Sequence, residues 1–248
     1  MPTWTSGAEP AYADLIDADG LIEGETTDGR VVARSAIVED PATAQRFGLI
    51  GATTPTLPTI STPRDVTVTP DMESTAQVIQ TEIDRLESRG IDRIILVSHL
   101  QDVANDRSLV ALLDGVDIAV AGGGDELLAN PAIPDDEELL PGEIQVVAGT
   151  YPLEQTDAVG RTVYIVTTAC NYKYLERLDA TFDAAVEVVA IDSQTSFPRR
   201  VIPADRARLG QPVQPGRAQR RDQRRQPGHG LIHRGLRRVR RQQRTAPA

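Results

Sequence analysis

Cysteine is all but missing. Cys170 is the only one in 248 residues, which excludes an internal disulfide and any zinc site built on cysteine pairs. Nothing beside it in sequence supplies a base, so it reads as a small buried apolar residue rather than a reactive thiol. No apolar run approaches the roughly 18 residues that a membrane-crossing helix needs, which removes a helical membrane anchor from consideration. The opening Met1-Pro2-Thr3-Trp4 lacks a basic patch followed by an apolar stretch, so the sequence as it stands shows no secretory leader and leaves the cellular location undefined. What remains, with 40% hydrophobic residues, fits one soluble globular core, or a core with an appendage.

Positive charge is also missing from most of the chain. Met1 to Pro198 carries 34 acidic against 11 basic residues, whereas Arg199 to the end carries fifteen Arg, no Lys and two acids, Asp205 and Asp222. One domain rarely holds so steep an asymmetry. From Gln211 onward Arg, Gln, Pro and Gly dominate without an apolar period, which predicts disorder. A basic arm for nucleic acid is one reading of this tail. It has no interleaved aromatics for base stacking and no Lys mixed with its Arg, so we read it as sequence without a selected role, such as a shifted reading frame, and do not expect nucleic acid as a partner. The expected organisation is an irregular segment over 1–30, an α/β domain over 31–198 and a disordered basic tail over 199–248.

Within the domain the order is strand, helix, strand, helix, strand. Val31–Val38 alternates weakly, and Phe47–Thr53 is a short apolar run that must stop before Pro55. Asp71–Arg89 has Ala76, Ile79, Ile83 and Leu86 at helical spacing, with Asp71 or Ser74 as cap and Gly90 as terminator. Ile91–Val97 is the strongest strand. Asp102–Leu113 is a second amphipathic helix closed by Gly115, and Val116–Ala121 is the next strand. Tight connections of this kind predict a parallel sheet. Beyond Pro131 the acidic run Asp135-Asp136-Glu137-Glu138 reads as a solvated face. Ile144–Ala148, Thr162–Thr168, Leu175–Phe182 and Val186–Ile191 read as strands in antiparallel or mixed pairing.

In an open parallel sheet the carboxyl ends of the strands line the ligand crevice. Three segments fall at that edge: Thr53-Thr54, Ser98-His99-Leu100-Gln101, and Gly122-Gly123-Gly124-Asp125-Glu126. His99 is the only histidine in the globular part. It is either a packed, hydrogen-bonded residue or a ligand. The glycine triplet is either a turn or a place where backbone approaches a neighbour. It has neither dinucleotide-fingerprint nor P-loop spacing. Asp125 and Glu126 either cap a helix begun by Leu127-Leu128 or serve as carboxylate ligands.

Four blocks, FGLIGATTP, IDRIILVSHLQ, GVDIAVAGGGDELL and VYIVTTACNYKYLERLDATFD, occur in order and at plausible spacing. Together, over roughly Val31–Ser196, they resemble the calcineurin-like metallophosphoesterases of the 5'-nucleotidase branch. The resemblance implies a partial four-layer α/β/β/α sandwich. It implies two divalent ions (Zn, Mn or similar) bridging a hydroxide and polarising a phosphate. The substrate would be a small phosphate ester or nucleotide, and full-length members are often secreted, periplasmic or surface-attached. His99 corresponds to a metal-binding histidine. Where many members have Gly-His-x-His, Gly123 takes the place of the first histidine and Asp125 that of the second. A carboxylate can serve such metals; Gly123 has no side chain to offer. The family's Asp-x-His and Gly-Asn-His-Glu blocks are not found in Met1–Phe47. The C-terminal substrate domain gives way to the Arg-rich tail. Cys170 and Glu176 stand where small residues are expected, and Ala185-Val186 interrupts a tight hairpin. These departures predict an incomplete, frame-disrupted copy with weak or no hydrolysis.

Overall fold

A computed structural model describes residues 19–24, 32–64, 66–169, 171–183 and 187–201. Cys170, the Ala185-Val186 interruption and the Arg-rich tail after Val201 lie outside the described residues, as does most of the first 30 residues. The strands are β1 (Leu21–Glu23), β2 (Ser35–Glu39), β3 (Arg46–Thr53), β4 (Ile94–His99), β5 (Ile118–Val120), β6 (Leu127–Ala129) and β7 (Val147–Thr150). They continue with β8 (Leu153–Thr156), β9 (Thr162–Val166), β10 (Tyr174–Arg177), β11 (Ala180–Phe182), β12 (Val188–Ile191) and β13 (Phe197–Arg200). The helices are α1 (Leu57–Ile60), α2 (Met72–Glu87), α3 (Val103–Val110) and α4 (Asp135–Glu138).

A seven-stranded sheet runs in the order β1-β2-β3-β4-β5-β9-β8. Its centre, β3-β4-β5-β9, is parallel, as the strand–helix alternation predicts. Antiparallel strands flank that centre on both sides, β2 against β3 and β8 against β9. The second half pairs in mixed fashion, as expected: β10-β13 and β11-β12 are antiparallel and β6-β7 is parallel.

One core joins this sheet to its two main helices. Ala76, Ile79, Ile83 and Leu86 of α2 are buried together with Leu109 and Val110 of α3, Ile50 of β3, Ile94 and Leu96 of β4 and Ile165 of β9. Burying each large aliphatic side chain contributes about 1.5–3 kcal/mol. Asp71 caps α2 by accepting a hydrogen bond from the Ser74 amide at 2.7 Å, and Gly90 follows at φ +73°. A smaller core of Leu128, Tyr151 and Val166 covers the other face of the sheet, with Val120 and Leu153 packed on it. That cover stops short of the β3–β4 tips, where Gly51, Thr53, Val97 and His99 are exposed. The result is a mixed α/β assembly of helices, central sheet and short β-ribbons, in keeping with the expected partial sandwich.

Several expectations need correction. The strongest strand begins three residues later than its apolar run, because Ile91 closes the core under α2 and Ile94 is the first residue to pair. Its start is held by the Asp117 carboxylate, which accepts from the Ile94 amide at 2.7 Å; burial pushes that carboxyl up to about 7. Leu127-Leu128 begins a strand, not a helix, because both leucines are buried on opposite sides of a ribbon. The acidic run is not wholly a solvated face. Glu138 is fully buried and accepts from the Asn130 amide at 2.7 Å. Leu21–Glu23, inside the segment expected to be irregular, is a parallel edge strand on β2. Ile144–Val146 is a 3-10 turn leading into β7. Glu176, where a small residue is expected, is a half-buried carboxyl pushed up to about 7 by burial, with Oε1 lacking a hydrogen-bond partner.

Gly48 tests how tightly the core is closed. A Cβ there would stand 2.7 Å from Leu86 Cδ1 and 2.9 Å from Ile94 Cδ1, whereas one at Gly51 would meet nothing within 4 Å. Gly48→Ala should therefore lower stability by about 1–3 kcal/mol through overpacking, and Gly51→Ala should change it by less than about 0.5 kcal/mol. Urea unfolding of both variants checks this pair, and equal effects would contradict the described packing.

Candidate functional site

Register decides what meets at the carboxyl edge of the sheet. Thr53 pairs with His99 across β3 and β4, and the Leu100 amide donates to the Gly122 carbonyl at 3.1 Å. The strand tips and the glycine turn after β5 are thus drawn into one ledge. His99 ends β4 with its side chain exposed. A Cβ at Gly123 would stand 2.7 Å from His99 Nδ1 and 3.1 Å from Gln101 Nε2. The imidazole therefore lies directly against the glycine, which is at φ +88°. Both proposed uses of the triplet hold at once, since it turns the chain and lets a neighbour approach. Asp125 sits exposed in the same turn, two residues beyond Gly123.

Gln101, which sequence reasoning left without a role, holds His99. Its Nε2 lies 2.8 Å from His99 Nδ1. Gln101 adopts φ +74°, a left-handed conformation that costs a residue with a Cβ roughly 1 kcal/mol. The only sequence signal for it is its place two residues after the strand-end histidine.

Behind the ledge lies a second group that the sequence did not reveal. Asp106, on the apolar side of α3 between Val103 and Leu109, is 1% exposed. It accepts a short hydrogen bond from the Ser98 hydroxyl, while its other oxygen has no partner. Glu126 turns back over Gly124 and accepts from the Val103 amide at 3.2 Å. Glu126 therefore caps α3 rather than a helix of its own. Asp102 accepts from the Ala104 amide at 2.7 Å. The amides that open α3 are thus already served by the chain's own carboxylates.

The electrostatic character of the ledge follows. Asp102 and Glu126, held on the opening amides of α3, and the exposed Asp125 lie on the segments that adjoin His99, and carboxylates draw cations rather than bare phosphate. Imidazole nitrogen and carboxylate oxygen are donors that Zn and Mn accept. Their number is short, however. Among the described residues no three His, Cys, Asp or Glu side chains converge to hold an ion, and His99 Nδ1 is already engaged by Gln101. The described residues therefore do not complete a two-metal centre. A separate cavity of about 430 Å³, lined by Asn130, Tyr151, Tyr164 and Val189 among others, includes neither His99 nor Asp125.

Asp106 gives the ledge a pH signature. Burial, with the Glu126 charge adding to it, pushes its carboxyl up to about 6, against the opposing effect of the Ser98 hydroxyl. The folded value lies above the unfolded one of 3.8, so the unfolded chain loses this proton first. The contribution is fully present below about pH 4 and is lost as pH rises through about 6. Asp106→Asn should remove that loss, and its stability relative to wild type should rise by on the order of 2 kcal/mol between pH 4 and pH 7. Parallel stability–pH curves for the two proteins would contradict it.

No protein-family model matches the chain. Among characterised proteins, a snake venom 5'-nucleotidase of Naja atra is 29% identical over 146 residues, covering 59% of this chain and 25% of that protein. A 5'-nucleotidase of Diplobatis ommata is 30% identical over 139 residues, covering 56% and 22%. Among solved structures, the 5'-nucleotidase precursor from Thermus thermophilus superposes with a TM-score of 0.56 at 27% identity, over 68% of this chain and 30% of that one. The chain spans about a quarter of the length of the curated relatives it matches. In sequence and in fold, the matched part of this chain is similar to 5'-nucleotidases and covers part of their architecture.

Proposed function

We propose that this chain derives from a metal-dependent phosphoesterase acting on nucleoside 5'-phosphates or related monoesters, and that His99 and Asp125 are its contribution to the divalent-cation centre. The observation that carries the proposal is the exposed His99 at the tips of adjacent parallel strands, packed against the glycine turn that leads to Asp125, in a chain whose matched relatives are 5'-nucleotidases.

A bound divalent ion would supply Lewis acidity to a phosphoryl oxygen and an activated hydroxide. The chain's own part is narrower. β4 carries His99 to the exposed edge, Gly122 and Gly123 let it lie close to the next strand end, and Asp125 adds negative charge that favours a cation. Two donors fall short of the three or four protein ligands of a firm site. The chain by itself should therefore bind a divalent ion weakly and turn over slowly. Two features favour a second reading, a module that binds a metal–phosphate ligand without hydrolysis. Gly123 stands where many family members have a histidine, and the described ligands do not converge. Domain limits of 31–198 for the phosphoesterase part and 199–248 for the basic tail belong to the same proposal, with β13 running across the junction.

Two measurements test it. With zinc or manganese and a chromogenic phosphate monoester, turnover should stay below about 1 per second, the low end for ordinary enzymes; faster, chelator-sensitive turnover would refute the incomplete-site account. In calorimetric titration, His99→Ala should weaken zinc binding about tenfold or more. Unchanged affinity would remove His99 from the cation site.

A further inference from the structure

The central strands β3-β4-β5-β9 are parallel, and parallel sheets are as a rule covered on both faces. One face of β4 meets α2 and α3. On the opposite face Ala36, Leu49 and Ile95 stand in one row across β2, β3 and β4, and Gly51 and Val97 stand in the next row on that face. Leu49, Ile95 and Val97 belong to none of the described hydrophobic cores. Val97 is 44% exposed, and a Cβ at Gly51 would meet nothing within 4 Å. A glycine inside a strand often marks the close approach of another backbone or a ligand. The two rows make an apolar face without a charged side chain, with a hollow at Gly51. Contiguous exposed apolar surface of this kind marks a binding surface.

Strand register shows what lies within reach of it. Leu21, Ser35, Ile50 and Leu96 share a row across β1 to β4. Gly20, just before, accepts from the Arg34 and Ser35 amides at 3.0 and 3.2 Å and turns at φ +69°. The chain therefore enters β1 level with Gly51 and Val97. From there Val97 is three strand spacings away, about 14 Å, and the eighteen residues before Asp19 can extend to roughly 60 Å. Those residues include Tyr12, Leu15, Ile16 and Trp4, the only tryptophan in the chain. A second copy is a poorer cover. Its body carries 34 acids against 11 bases over Met1 to Pro198, and like charge opposes its approach. The tethered segment brings three acids, Glu9, Asp14 and Asp17, and gives up no translational freedom when it binds.

We infer that residues 1–18 dock on this sheet face, setting apolar side chains over Gly51 and against Val97, and so supply the cover that the described residues leave out. The inference does not depend on the cation role of His99.

Trp4 reports on this directly, since no other tryptophan contributes to the emission. In the full chain under native conditions it should emit at shorter wavelength than in urea, and iodide should quench it less. Neither property should change with protein concentration. Val97→Asp puts a charge into the apolar row at an exposed position. It should lower the ratio of docked to free segment about tenfold or more, so that Trp4 emits and is quenched as in urea while the circular dichroism stays native. Gly51→Glu, whose side chain enters open space, should do the same, and it decides the matter should Val97→Asp fail to fold. A native Trp4 as open to iodide as in urea would overturn the inference, and so would shielding that survives in either folded variant. Shielding that appears only where sedimentation shows a dimer would overturn it in favour of a second copy.

Discussion

The alternation of side chains along β4 governs what this chain can do. Ile94, Leu96 and Ser98 face the helix-covered core, and Val97 and His99 face the other way. Parallel pairing with β3 and β5, together with the Asp117 carboxylate on the Ile94 amide, locks that register. A slip of one residue would drive His99 into the apolar core and turn Leu96 out to solvent, which the burial of Ile94 and Leu96 against α2 and α3 forbids. The position of the imidazole is therefore a by-product of hydrophobic packing several residues away.

The same constraint explains the chemistry at the edge. Once His99 is fixed outward at the tip, the turn after β5 must pass beside it, and only glycine at position 123 leaves room. The segments that adjoin the ring carry several carboxylates. Asp102 and Glu126 are committed to the amides of α3, and Asp106 is sealed beneath through Ser98. Asp125 alone of these reaches outward from the glycine turn. The ledge has the charge and donor types of a cation site but fewer donors than such a site uses. That shortfall agrees with a chain that matches only about a quarter of its 5'-nucleotidase relatives.

Much of this was legible in the sequence because it is written in period and punctuation. The helical spacing of Ala76, Ile79, Ile83 and Leu86 between Asp71 and Gly90 defined α2, and the runs ending at Thr53, His99 and the glycine triplet put three strand tips on one edge. Ordered blocks such as IDRIILVSHLQ and GVDIAVAGGGDELL pointed to the 5'-nucleotidases that the chain is found to resemble. What was not legible depends on contacts far apart in sequence. Glu138 could not be separated from its acidic neighbours without the Asn130 amide eight residues away. Leu127-Leu128 looked like a helix start because two adjacent leucines carry no period, and only the two cores that receive them make a strand. Gln101 and Asp106 were missed for a related reason, since a left-handed backbone and a buried carboxylate leave no local pattern.

The account stands on His99 being available to a cation at the exposed end of β4. The most direct measurement is the nitrogen-15 shift of its imidazole during addition of zinc. A chelator-reversible change at one ring nitrogen of His99, as it passes from protonated to metal-bound, is the predicted result. Imidazole signals that stay where they were as zinc saturates the solution would contradict it and leave His99 a surface residue of the fold.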